Sequence, residues 1–196
     1  QGGYSIYHLD AQSATALGAN TGARRQFGGG GDVIRAMASG DVAIGEVGST
    51  GIATAISQGM DVELFWILED IAAAEALVAR NGSGINSVAD LKGKKVGVPF
   101  VSTTHFHLLY AMELAGLKRG DVQILNMRPP EVRAAWQRGD IQATFIWDPV
   151  LAEVKKDGKV ILTSGQISAD TGKATFDGYI VNKDWAKANR DFMVKF

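Results

Sequence analysis

Apolar and polar positions follow two periods along this chain. Short runs rich in Val, Ile, Leu and Phe predict strands at 5–8, 24–27, 42–44, 63–67, 76–79, 95–98, 122–126, 143–146, 160–162 and 178–181. Between them, apolar residues spaced three and four apart predict helices at 32–38, 51–58, 88–91, 103–115, 130–137, 149–157 and 183–196. Strands alternating with helices predict an α/β fold with a largely parallel sheet.

The pattern also repeats. Val33–Val42 (VIRAMASGDV) matches Val132–Ile141 (VRAAWQRGDI), with 33 facing 132, 36 facing 135 and 41 facing 140. Each copy reads as an amphipathic helix, a glycine stop, an aspartate and a strand. Two lobes of similar local architecture produce such a pattern. Past the strand, the copies reach Gly48-Ser49-Thr50 and Trp147-Asp148-Pro149. Ligands of open α/β sheets bind beyond the carboxyl ends of strands, so Ser49 and Asp148 are expected on opposite walls of one cleft.

Length and composition narrow the classes. The 196 residues suffice for one large domain or two small lobes. With 46% hydrophobic and 21% charged residues and mean hydropathy of +0.02, the chain reads as soluble and globular. Its longest apolar stretches, such as Phe65–Leu68, are far shorter than the ~20 residues a bilayer requires. A net charge of -1 gives no electrostatic reason to expect nucleic acid or a membrane surface as partner. The absence of cysteine excludes disulfides, thiolate catalysis and Cys-based metal sites. Gly28–Gly31 reads as a loop into a helix, with a flexible joint as the alternative.

The sharpest local feature is the strand ending Val98-Pro99-Phe100-Val101, followed by Ser102, Thr103 and Thr104 at a helix start. Unpaired N–H groups and the helix dipole favour an anion there, and hydroxyls add donors without charge. An ordinary helix cap is the competing reading. Gly48-Ser49-Thr50 repeats the theme more weakly. Glu75, Asp148 and Asp177 lie at strand ends, where an ammonium would find acceptors. Asp148 before Pro149 is equally a helix cap, and Asp10 shares that ambiguity. Trp147, at a strand end, is placed to cover a ligand's carbons, whereas Trp136 reads as helix packing. His105 and His107 are two apart in a helix and so face different ways, which argues against a shared metal. No catalytic signature appears: there is no Gly-x-Ser-x-Gly elbow, His-Glu-x-x-His pair or phosphate-binding glycine loop. The expectation is a binding protein rather than an enzyme, with no cofactor and no metal.

The stretches Arg35–Val42, Val98–His105 and Ala134–Ile141 carry a resemblance. With Glu75–Val78 and Val122–Pro130, they resemble the taurine-binding proteins of bacterial ABC importers, and more distantly the aliphatic-sulfonate and nitrate receptors. The resemblance runs from about Ala23 to Phe196.

It implies a type II periplasmic-binding-protein fold, with two lobes joined by a hinge. Residues 1–80 and 175–196 would form lobe 1 and residues 81–174 lobe 2, with the C-terminal part of lobe 1 missing. The implied function is capture of taurine in the cleft, in the periplasm or another extracytoplasmic space, for delivery to the permease of an ABC transporter. Its sulfonate would meet residues 48–50 and 102–104, and its ammonium Glu75 and Asp177. His8 and Asp10 would add contacts, although the first ~22 residues match the family poorly. The alternatives are a receptor for another sulfonate, a sulfate ester or nitrate, and an enzyme on the same fold.

Overall fold

A computed structural model describes residues 27–196. They divide into two compact units, one of residues 70–176 and the other of 27–69 with 177–196. Among the described residues, the chain passes between them at 69/70 and at 176/177.

The 70–176 unit is built on five strands in the order β5-β4-β6-β3-β7: β3 (Glu75–Arg80), β4 (Lys95–Val98), β5 (Gln123–Asn126), β6 (Ala143–Trp147) and β7 (Gly158–Thr163). Helix α3 (Thr103–Leu114) links β4 to β5, α4 (Pro129–Arg138) links β5 to β6, and α5 (Val150–Val154) links β6 to β7. A parallel neighbour requires a long crossover, and these helices supply it: β4 runs parallel to β5 and β6. β3 is reversed, pairing antiparallel with both β6 and β7. It reaches β4 through the 3-10 turn Val88–Leu91 instead of a helix. The expected largely parallel sheet is therefore a mixed one, with β3 running against the others. Every residue of β6 is buried, as befits a central strand covered on both faces. Leu77, Val96, Val98, Leu108, Met112 and Phe145 form the heart of the core.

The other unit holds β1 (Ile44–Gly48), β8 (Phe176–Asn182) and β2 (Val62–Asp70), in the order β1-β8-β2 among the described residues. β1 and β8 are antiparallel, with Ile44 opposite Val181 and Gly48 opposite Asp177. Helix α1 (Gly30–Ala38) buries Val33, Ile34 and Met37, and α2 (Ser49–Ser57) follows β1 directly. Close approach of α1 to β1 needs Gly45, since a Cβ there would lie 2.7 Å from Val33 Cγ1. Phe65, Tyr179 and Phe196 form an aromatic cluster, while Trp66 and Ile67 of β2 are exposed.

The sequence repeat corresponds to real geometry. α1 with β1 and α4 with β6 are the two copies, and each helix is followed by a glycine in the left-handed region, Gly40 at φ 80° and Gly139 at φ 79°. One copy lies in each unit, so Ser49 and Asp148 belong to different units.

Other expectations shift. A lobe boundary near residue 80 would give β3 to the first lobe, but its strand partners on both sides are β6 and β7. The predicted helix 183–196 is two short helices, α7 (Lys183–Ala188) and α8 (Arg190–Lys195), broken at Asn189. Helix α6 (Ser164–Thr171) was not among the predicted elements. Its start is nevertheless written in the sequence: Thr163 and Gln166 form a capping box.

Gly158 opens β7 where a Cβ would fall 2.6 Å from Val78 Cγ1 and 2.7 Å from the Val154 carbonyl oxygen. Backbone cannot yield as a flexible side chain does. Gly158→Ala is expected to lower stability by about 1–3 kcal/mol, read from the urea midpoint at unchanged slope.

Candidate functional site

In the 70–176 unit the candidate residues converge on Glu75, the first residue of β3, which is only 4% exposed. A buried carboxyl needs hydrogen-bond partners, and it has them. Thr103 Oγ1 donates to Glu75 Oε1, and Ser164 Oγ lies 3.0 Å from Glu75 Oε2. The same Ser164 Oγ is 2.7 Å from His107 Nδ1, and His107 Nε2 is 3.0 Å from the Lys173 carbonyl oxygen. Four side chains thus form one buried chain: Thr103, Glu75, Ser164 and His107. Burial lowers the His107 pKa, against an opposing contribution from the Lys173 carbonyl.

The loop from β4 into α3 is conformationally unusual. Val101 has φ 61°, a left-handed conformation that a β-branched residue rarely adopts. Ser102 caps α3 by accepting from the His105 N–H, at 3.1 Å, and donates to the Pro99 carbonyl. Its oxygen is also 2.7 Å from Thr104 Oγ1. The three hydroxyls expected to face an anion are therefore turned to protein partners: Thr103 to Glu75, Ser102 to Pro99, and Thr104 to Ser102. His105 N–H goes to Ser102 Oγ and Phe106 N–H to the Ser102 carbonyl. The donors left at the start of α3 are the backbone N–H groups of Thr103 and Thr104.

Trp147 closes β6 directly opposite Glu75 in the strand register. It is 3% exposed, which makes it part of the packing around the carboxylate. Asp148 does not join this group. It is exposed, and its Oδ1 accepts the Ala152 N–H at 2.9 Å, the capping role that the sequence left open. Trp136 packs as expected: it is buried, Arg80 lies over its ring at 4.7 Å, and its Nε1 donates to Asp157 at 2.7 Å. His105 stacks on Phe100 with ring centroids 4.2 Å apart.

In the other unit, α2 starts at Ser49 with Gly48 as its cap residue and no side chain capping it. Thr50 Oγ1 is buried and has no hydrogen-bond partner among the described residues. Asp177 sits beside this helix start, because Gly48 is its register partner across β1 and β8. Burial pushes the Asp177 carboxyl up to about 6, and the Glu69 carboxylate adds to the rise. His8 and Asp10 lie outside the described residues.

Sequence reasoning missed Ser164 and His107. The capping box at Thr163 could have revealed the first as the start of a helix. Nothing local announces that His107 rather than His105 turns inward. The order of the buried chain also bears on catalysis. Ser164 stands between the histidine and the carboxylate, whereas acyl-transfer triads place the histidine between serine and acid. Among the described residues there is no group of three or more metal-ligating side chains, and no helix long and apolar enough to cross a membrane.

Residues 25–196 match the family described as NMT1/THI5 like. The chain belongs to the NMT1/THI5-like family. It is 42% identical over 172 residues to the taurine-binding periplasmic protein of Escherichia coli strain K12. That match covers 88% of this chain and 53% of the relative, so the chain spans about half the relative's length. Among solved structures, it is similar to the periplasmic aliphatic sulphonate binding protein of Escherichia coli, at TM-score 0.69 and 30% identity, over 85% of this chain and 56% of that one. The alkanesulfonate-binding protein of Xanthomonas axonopodis pv. citri, solved bound to MOPS, shares the fold at TM-score 0.72 and 23% identity, over 84% of this chain and 56% of that one. This NMT1/THI5-like chain therefore has the mixed α/β fold of periplasmic binding proteins.

Proposed function

We propose that this chain is the ligand-capturing portion of a periplasmic receptor for taurine, serving an ABC importer and performing no covalent chemistry. The observation that carries this reading is the contact between Glu75 and the start of α3. A buried carboxylate, the acceptor an ammonium needs, is held by the first residue of a helix whose own N–H groups suit an oxyanion. A ligand matching both must carry a cation and an anion only a few bonds apart. Taurine does so across two carbons. In the other unit, the start of α2 with the orphaned Thr50 hydroxyl and the neighbouring Asp177 offers the same pairing of donor and acceptor. In the 70–176 unit the proposed contacts are Glu75, Thr103 and Thr104, with Ser102 shaping the helix start and Trp147 packing beside the carboxylate; in the other unit they are Ser49, Thr50 and Asp177. The similarity to a named taurine-binding periplasmic protein supports the choice of ligand and compartment.

Calorimetric titration with taurine, ethanesulfonate, sulfate and nitrate tests the proposal. Taurine is expected to bind about a hundredfold more tightly than ethanesulfonate, the worth of a charge-assisted hydrogen-bond set at a desolvated site. Equal affinities for the two would remove the ammonium subsite and favour a general sulfonate receptor.

A further inference from the structure

Among the described residues, two that are not glycine take a positive φ: Ala72 at 40° and Val101 at 61°. A side chain crowds the backbone in that conformation, which glycine adopts freely. Both lie just ahead of the site. Ala72 is three residues before Glu75 and Val101 is two before Thr103, and Glu75 and Thr103 touch. Thr103 also carries one of the backbone N–H groups left at the start of α3, so acceptor and donor lie one side chain apart.

Each turn is clamped from both sides. Ile71 N–H donates to the Thr175 carbonyl at 3.1 Å, Ala72 N–H to Asp70 Oδ1 at 3.2 Å, and Ala74 N–H to the Ile71 carbonyl at 2.8 Å. Helix α6 rests on the same turn, where a Cβ on Gly165 would lie 3.1 Å from the Ala72 carbonyl carbon. At Val101, the preceding Phe100 N–H donates to Asn126 Oδ1 at 3.0 Å and its ring stacks on His105. The following Ser102 is tied to Pro99 and Thr104. Ala72 is exposed, so burial of its methyl group does not account for it. What a side chain adds at such a position is restriction, since it removes conformations that glycine would keep.

We propose that Ala72 and Val101 are positioning residues that fix the span between ammonium acceptor and oxyanion donors, and so select aminosulfonates by the number of carbons between their charges. This rests on the reading of Glu75 as the acceptor and of the start of α3 as the oxyanion site. A restricted turn ahead of each partner sets the two backbones at one separation before a ligand arrives, which lowers the cost of ordering on binding. A ligand one methylene longer than taurine meets a span that does not stretch. Placement through the backbone holds whatever further partners the Glu75 carboxyl has.

Calorimetry with taurine and 3-aminopropanesulfonate on the parent, Ala72→Gly, Val101→Gly and the double variant reads the span. The parent is expected to bind taurine at least about tenfold more tightly than the longer homologue. Each glycine is expected to weaken taurine about two- to fivefold and both together about tenfold, narrowing the preference to about threefold or less. Urea midpoints should stay close to the parent's, because relief of the left-handed crowding opposes the added freedom of the unfolded chain. Selectivity lost at unchanged stability is not what a purely structural residue gives. A double variant with the parent's affinities would overturn the role, as would equal losses of both ligands with a lowered midpoint. Equal affinity of the parent for both amines would overturn the fixed span and leave the receptor reading standing. Binding of neither amine by the parent would overturn both.

Discussion

Glu75→Gln is expected to lower taurine affinity by about a hundredfold or more while leaving ethanesulfonate affinity within about threefold, since truncating one partner of a buried charge pair costs about 2–5 kcal/mol. Glutamine has the shape of the protonated acid, so Thr103 and Ser164 keep a partner and the fold is retained. What disappears is the negative charge that would face the ammonium. Glu75→Ala removes shape as well, leaving two buried hydroxyls without their acceptor, and is expected to destabilise by about 2–4 kcal/mol in addition. The contrast between the two variants separates the charge from the scaffold. Calorimetry gives the affinities and thermal melting gives the stabilities. If Glu75→Gln binds taurine as the parent does, the ammonium is held elsewhere and the proposed role of this carboxylate is lost.

The reversed strand β3, and with it the place of Glu75 in the fold, was the least legible element. Its residues, Glu75-Ala76-Leu77-Val78-Ala79-Arg80, read as a strand from composition. Direction and partners are long-range properties, set here by pairing with β6 and β7 far along the chain. The parallel strands were readable because a helix follows each of them and dictates the return. The helix–glycine–strand repeat was readable for a similar reason: a left-handed glycine stop is a local requirement with a local signature. Site residues divided along the same line. Thr103 and Glu75 stand out by their chemistry at element ends, and they touch. The fate of the hydroxyl protons could not be read, because Ser102 and Thr104 satisfy the turn that Val101 forces into an unusual conformation. His107 and Ser164 were invisible because their meeting depends on α6 packing across α3, a contact between elements that no window of sequence contains.

Replacing Asp177 by asparagine is expected to stabilise the chain above pH 6 and to leave it nearly unchanged near pH 4. The carboxyl is raised from 3.8 to about 6 by burial and by Glu69. Between those two values the folded state keeps a proton that the unfolded state has released. Stability therefore falls as pH rises through this window, and the cost is complete above about 6. The full shift corresponds to at most about 3 kcal/mol, or several degrees in melting temperature for a chain of this size. Asparagine never ionises, so the variant escapes the cost. A site that holds a carboxylate at such a disadvantage gains most when a cation arrives, and this is the link to binding. In the parent, taurine affinity should decline as pH drops below 6, where Asp177 is already protonated, and above that pH the ammonium offsets the cost of the buried charge. In Asp177→Asn the affinity should be lower at pH 8 by about tenfold or more, with the pH dependence around 6 flattened. Melting curves and titrations at pH 4, 6 and 8 decide the matter. A variant that gains equally at pH 4 and pH 8 would show that its effect is packing, and Asp177 would cease to be an ionising partner of the ligand.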